Sequence, residues 1–307
     1  MDKIAELLQE KGAIEARLAV LNYGSIEVRQ QDNKQYIYTH YRNAGMIKTR
    51  YIGEYSTSLY NLILENNVVA KDLKKRLREI NKALGEMQYS QVELSEDVKI
   101  NIDLARRNLV ESIYKQAMLE GVATTYSDTE TIINGGKVKD MTASDISKVV
   151  NLKHAWEFIL DEGVISCKTN YAILCQINSL VEEGFSYTAG KLRSVPVSIG
   201  GSTYIPPLPF ESAVKEDLDQ IVNANKSDEE KGIDLLLYSM KKQLFLDGNK
   251  RTAVIFANHY LISHGSGIIV VPAELVPDYK KVLIDYYEDR NEEIKDFLRT
   301  KCIQRLR

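Results

Sequence analysis

Gln243-Leu-Phe-Leu-Asp-Gly-Asn-Lys-Arg-Thr-Ala253 is the stretch whose reading decides the fold. Upstream, Glu230 to Lys242 places Ile233, Leu236, Leu237 and Met240 at helical spacing, and downstream Arg251 to Ser263 reads as a second, almost wholly apolar helix. Between them lies an acidic-glycine bend. Gly248 lets the backbone approach a ligand, and the N–H groups of Asn249, Lys250 and Arg251 open a helix whose dipole favours an anion. Lys250 and Arg251 add two positive charges, and Asp247 stands at the rim, where a carboxylate beside phosphates suits Mg²⁺. The guest this pattern fits is a nucleotide polyphosphate. The plain alternative is an interhelical turn, since Asp, Gly and Asn are favoured turn residues and Lys and Arg often cover solvated helix faces.

The run resembles the signature of the Fic/Doc family, His-x-Phe-x-(Asp/Glu)-(Gly/Ala)-Asn-(Gly/Lys)-Arg. Phe245, Asp247, Gly248, Asn249, Lys250 and Arg251 match it, whereas position 243 is Gln instead of His. Lys250 and Val254, where the Fic subgroup has Gly and a second Arg, bring the run closer to the Doc branch. The resemblance implies a mainly α fold, a Fic-like helical core with a small β-hairpin flap. It also implies a transferase that binds ATP with Mg²⁺ and moves AMP or, Doc-like, phosphate onto a hydroxyl side chain of a target protein. Asn249, Lys250 and Arg251 are then expected at phosphate, Gly248 at the close approach, Asp247 at Mg²⁺, and Phe245 as the anchor of the loop. Gln243 occupies the general-base position but has no basic nitrogen. That leaves slow transfer, another base such as Asp247, or a silent nucleotide-binding scaffold.

Two further stretches extend the resemblance. Residues 116 to 121, Gln-Ala-Met-Leu-Glu-Gly, are similar to the family's inhibitory helix, (Ser/Thr)-x-x-x-Glu-(Gly/Asn), with Gln116 in place of the hydroxyl residue. Glu120 is therefore the candidate brake, competing with phosphate for Arg251 or Lys250. Residues 190 to 209 alternate at Val195, Val197 and Ile199 up to Gly200-Gly201, and at Thr203 and Ile205 beyond it. This spacing predicts a two-stranded hairpin with a glycine turn. It looks like the family's flap, with Ile199, Gly200, Gly201, Ser202 and Thr203 expected to register a docked target protein by strand addition.

Outward from this core, residues 91–307 are expected to form the Fic-like domain and 1–90 a separate helix, β-hairpin, helix stalk with an unknown partner. The hairpin is placed at Gln35–Tyr41 and Met46–Ile52 with a turn at Asn43-Ala44-Gly45, and the returning helix runs from about Leu59 to Met87. Within 91–307 the pattern predicts helices over Ile100–Leu119, Thr142–Glu162 and Lys168–Glu183, with Trp156 in the core and the four histidines as ordinary packed or surface residues.

The net charge of -3 argues against a dedicated nucleic-acid binder; the basic run Lys71 to Arg78 could touch nucleic acid or an acidic partner, but such runs are usually solvated helix faces, and that is the expectation here. Tyr36, Tyr38 and Tyr41 either stack on bases or fill the packed side of the hairpin, and the packed side is the expected place. Three cysteines, Cys167, Cys175 and Cys302, show no C-x-x-C spacing, so no disulfide framework or zinc site is expected. No apolar run reaches membrane-span length, and a reducing cytoplasm is the expected location.

Overall fold

The computed structural model describes residues 3–31, 34–43, 46–86 and 94–305. The chain divides into two compact units, 1–90 and 91–307.

In the first unit, α1 (Lys3–Val20) and α2 (Thr57–Glu86) are joined by a three-stranded antiparallel sheet of β1 (Ser25–Gln31), β2 (Lys34–Asn43) and β3 (Met46–Glu54), in the order β1-β2-β3. The expected hairpin is β2 and β3, with Tyr38 opposite Tyr51 and Thr39 opposite Arg50. Residues 44–45 of its turn, and Met87 at the expected helix end, lie outside the described residues. The extra strand β1 pairs Glu27 with Tyr38 and Arg29 with Tyr36. It is an edge strand, mostly exposed and polar, and such strands carry weak apolar alternation. Ile37 and Thr39 are fully buried, so the alternation of a strand puts Tyr36 and Tyr38 on the opposite face. There they meet the half-exposed Tyr51, at ring-centroid distances of 6.2 and 5.4 Å, which corrects their assignment to the packed side.

The second unit is helical: α3 (Glu96–Arg107), α4 (Leu109–Leu119), α5 (Tyr126–Ile133), α6 (Ala143–Ile159), α7 (Glu162–Ile165), α8 (Tyr171–Val181), α9 (Glu211–Val222), α10 (Asp228–Lys242), α11 (Asn249–Ser263), α12 (Val276–Tyr287) and α13 (Glu293–Lys301). Short strands β4 (Ile268–Ile269) and β5 (Ile303–Gln304) pair antiparallel near the end. The single helix expected over 100–119 is two. The break falls at Asn108, whose backbone leaves helical geometry at φ -98°, ψ 12° while its side-chain amide donates to the Leu104 carbonyl at 2.8 Å.

Helix α11 is the centre of this unit. Every residue from Arg251 to Ile262 is buried, and α11 packs against α3, α6, α8 and α10. A helix apolar on all sides can only be a core helix. Gly232 brings α10 close to it, because a Cβ there would meet the Leu261 side chain at 2.5 Å. Trp156 is fully buried, and His259 is a satisfied core histidine bonded to Thr169 Oγ1 at 2.8 Å and the Val164 carbonyl at 3.0 Å. The three cysteines are free, and burial pushes the thiol pKa of Cys167 and Cys175 up to about 11 and that of Cys302 to about 12. No helix among the described residues is long and apolar enough to cross a membrane.

The hairpin expected at 195–205 does not form; residues 192–210 hold no strand. The glycine turn is present, with Ser202 N–H donating to the Ile199 carbonyl at 3.1 Å and Gly201 at φ +81°. The flanking backbone has no ladder to make, since Pro196, Pro206 and Pro207 lack an N–H. Two of its N–H groups go to side chains. Thr203 N–H donates to Glu288 Oε1 at 2.8 Å and Tyr204 N–H to Ser202 Oγ at 3.1 Å.

Candidate active site at the α10–α11 bend

Helix α10 ends at Lys242 and its C-cap is Gln243, a non-glycine residue at φ 46°, ψ 61°. Left-handed backbone is costly for such a residue unless the surroundings hold it. Here they do. The Gln243 carbonyl accepts from the buried Arg193 guanidinium at 2.5 Å, and its side-chain Nε2 donates back to the Met240 carbonyl at 2.6 Å. The amide of Gln243 therefore satisfies an end carbonyl of its own helix.

Leu244 and Phe245 drop into the core, Phe245 as the expected anchor. Asn249 then closes the loop on itself. Its Oδ1 accepts from Phe245 N–H at 2.9 Å and its Nδ2 donates to the Phe245 carbonyl at 2.8 Å. Both ends of the side-chain amide are thus engaged within the loop, which leaves the backbone N–H, the donor the sequence reading assigns to phosphate, as what Asn249 offers an anion. Asn178 on α8 fixes the same loop, donating to the Asp247 carbonyl and to Thr252 Oγ1, both at 3.1 Å.

Gly248 is the N-cap of α11, at φ 72°, and no side chain caps the helix. The first-turn N–H groups are thus left as anion donors. The left-handed backbone favours glycine here, and a Cβ at Gly248 would meet Glu182 Oε1 at 2.6 Å, so Glu182 would have to shift to admit one.

Arg251 projects into this same space and is 5 % exposed. Three carboxylates surround it. Glu182, just past the end of α8, has Oε1 at 2.8 Å from Nη2; Asp247 Oδ1 is 3.8 Å from Nη2; Glu120 Oε2 is 3.8 Å from Nε. The Glu182 contact has ion-pair distance but is misaligned for a hydrogen bond, and Arg251 Nε and Nη1, Glu182 Oε1 and Glu120 Oε1 all lack a hydrogen-bond partner among the described residues. Buried donors of this kind are costly and unusual in a finished core. Burial raises the Glu182 carboxyl above the usual range; Arg251 pulls it back, while Asp247 and Glu120 push it further up. Lys250, half buried beside them, makes no ion pair among the described residues.

Glu120 thus reaches Arg251 as the sequence suggests, though more loosely than Glu182. Gln116, standing where the resemblance puts Ser or Thr, donates to the Arg251 carbonyl at 2.7 Å and accepts from Trp156 Nε1 at 3.0 Å. It pins α4 to α11 and α6, which keeps Glu120 within range. Asp247 stays at the rim, its side chain 75 % exposed, with Oδ1 accepting from Gly248 N–H at 2.6 Å. No cluster of three metal-ligating side chains exists among the described residues, so a cation here would rest on Asp247 and its ligand's own oxygens.

Ile199 is buried, Gly200 and Gly201 make the turn, and Ser202 and Thr203 are tied to Glu288 at the end of α12. Arg193 joins this segment to the bend. Besides the Gln243 carbonyl it donates to those of Val195, Pro206 and Pro207, at 2.9, 3.1 and 2.7 Å. Arg193, Glu182, Asn178 and Glu288 are residues the sequence did not single out. The one usable signal was for Arg193, a cation inside a proline-rich loop whose carbonyls have no strand partner.

Residues 168–261 match the model of the Fic/DOC family. Solved structures with the same fold include a fragment of Fic-1 from C. elegans (TM-score 0.52, 15 % identity, covering 78 % of this chain and 76 % of that one). A Fic family protein from Desulfovibrio desulfuricans G20 aligns with TM-score 0.53 at 18 % identity, over 70 % of this chain and 65 % of that one. A Fic domain containing signaling protein from Bacteroides thetaiotaomicron gives 0.50 at 19 % identity, over 66 % and 79 %. No curated protein matches. The family match lies across α8 to α11, the helices that build the bend, and the solved structures share the fold of the helical unit.

Proposed function

We propose that this Fic domain is a nucleotide-dependent transferase, binding ATP at the α10–α11 bend and passing part of it to a hydroxyl side chain of a target protein. The observation that carries this reading is Arg251, a buried guanidinium with two unpartnered nitrogens beside an uncapped helix N-terminus. A phosphate would satisfy both, and Lys250 adds charge. Mg²⁺ arriving with the nucleotide fits Asp247, whose exposed carboxylate retains a free oxygen, and would neutralise phosphate charge.

In the transfer, a target hydroxyl oxygen bonds to phosphorus and the bond to the leaving group breaks. Pyrophosphate leaves if AMP moves and ADP if phosphate moves, and the hydroxyl proton goes to a base. Gln243 is unable to take that proton, and its Nε2 already donates to Met240. Positioning and charge neutralisation remain, so transfer is slow instead of abolished. The target docks on the 195–210 segment. Strand addition along Thr203 and Tyr204 is blocked by their existing hydrogen bonds. The exposed side chains of Val195, Ile205, Leu208 and Phe210 supply an apolar docking surface instead.

A second reading, a silent nucleotide-binding scaffold, is favoured by one observation: Glu182 already sits against Gly248 and Arg251. Incubation with ATP labelled separately at the α and γ positions, together with lysate, separates the two. Covalent label from either position supports transfer; bound ATP with neither label retained supports the scaffold.

A further inference from the structure

The 1–90 unit contains a second cationic site, independent of the Fic bend. A hollow of about 400 Å³ opens beside α2, lined by Tyr23, His40, Tyr41, Lys71, Lys74 and Arg78 among others, with no carboxylate in its wall. Lys71, Lys74 and Arg78 lie three and four residues apart and so share one helix face. On a neighbouring face of α2, Arg76 is neutralised by Glu10 at 2.6 and 2.8 Å and by Glu79 at 3.3 Å. The three cations of the hollow form no ion pair among the described residues. Arg78 Nε donates only to the Lys74 carbonyl, at 3.3 Å, and Lys74 Nζ stands 4.3 Å over the Tyr23 ring. Like charges at this spacing repel, so the triad is unfavourable until an anion covers it.

Aromatic rings share the hollow. Tyr23 and Tyr41 lie 5.8 Å apart, and Arg50 sits 5.1 Å over Tyr41. On the outer face of the sheet Tyr36, Tyr38 and the half-exposed Tyr51 form a second group, with Arg29 4.4 Å over Tyr38. The charge of the chain is also divided: residues 1–90 hold 14 Lys and Arg against 11 Asp and Glu, while the remainder holds 26 against 32. The acidic total hides a basic N-terminal unit.

We propose that this hollow binds single-stranded nucleic acid, with backbone phosphates on Lys71, Lys74 and Arg78 and bases against the tyrosines. An acidic peptide would use the cations but leave the rings without a role. A duplex presents phosphate ridges and no free base face to a concave site of this size.

The test is fluorescence anisotropy of the full chain with labelled 12-nucleotide single strands, poly-dT and poly-rU, at 50 to 200 mM salt. Three neutralised phosphates predict a slope of log affinity against log salt of about -2, roughly a 20-fold loss over that range. Lys71→Glu/Lys74→Glu/Arg78→Glu, and the milder triple Gln variant, are expected to weaken binding more than tenfold. Lys280→Glu/Lys281→Glu, a change at exposed lysines of the other unit, is expected to leave it unaltered. No binding at 50 mM salt, full binding by both triple variants, equal affinity for a duplex, or equal competition by polyglutamate would each overturn the proposal.

Discussion

Arg251 and the Lys71, Lys74, Arg78 triad are both cationic sites, and they are built in opposite ways. Arg251 is buried, fixed at the head of a core helix and crowded by the protein's own carboxylates. The triad is exposed on a helix face, and no carboxylate lines the hollow it borders. The first arrangement can discriminate, because an anion must match a rigid bend and displace Glu182. The second attracts at long range and discriminates little, because exposed charges act through solvent and are screened by salt. The difference also fixes what each costs the fold: a buried charge must be balanced, whereas surface lysines are nearly free.

The widest gap between the two sites is chemical. Restoring a basic nitrogen by Gln243→His is expected to raise transfer by about 10² to 10⁴, read as covalent label from ATP, with no effect on oligonucleotide binding. Equal rates for both forms would contradict the assignment of position 243 as the place of the missing base.

Next comes stability. Arg251→Ala leaves Glu182 buried without its cation, so urea unfolding should show a loss of about 3 kcal/mol along with the loss of ATP binding. The triad variants should stay within about 0.5 kcal/mol of the parent protein. A stable Arg251→Ala protein would mean that the ion pair contributes nothing net.

Salt sharpens the contrast further. Between 50 and 200 mM, ATP affinity should change by less than about threefold while oligonucleotide affinity falls roughly 20-fold. The smallest effect is assigned to the loosest carboxylate. Glu120→Gln should raise ATP affinity by no more than about threefold, since Glu120 is 3.8 Å from Arg251 and partly exposed. A large gain would make Glu120, and not Glu182, the main competitor.

Much of the 91–307 unit was legible in the sequence. The α10 and α11 spacing, the glycine bend and the buried Phe245 are local features, and local features leave local patterns. The flap was misread because Val195, Val197 and Ile199 alternate like a strand, yet prolines remove the donors a ladder needs and Glu288 takes one of the rest. Glu182 left no trace because its meaning depends on α8 ending beside the α10–α11 bend, a contact across 69 positions between Glu182 and Arg251. The backbone N–H of Asn249 was legible as a helix-opening donor, but the pairing of its side-chain amide with Phe245 is a matter of loop geometry. In the first unit β1 was missed because an edge strand needs little apolar alternation. The hollow beside α2 was invisible because Tyr23 and Lys74 are far apart in the chain.

The central claim is that the bend at Gly248 takes a phosphate in exchange for Glu182. Calorimetric titration of MgATP into the parent protein and into Glu182→Gln tests it most directly. Both proteins are expected to bind, with affinity about tenfold higher in Glu182→Gln, a difference of about 1.4 kcal/mol. No heat from either protein at millimolar nucleotide, or weaker binding after the substitution, would contradict it.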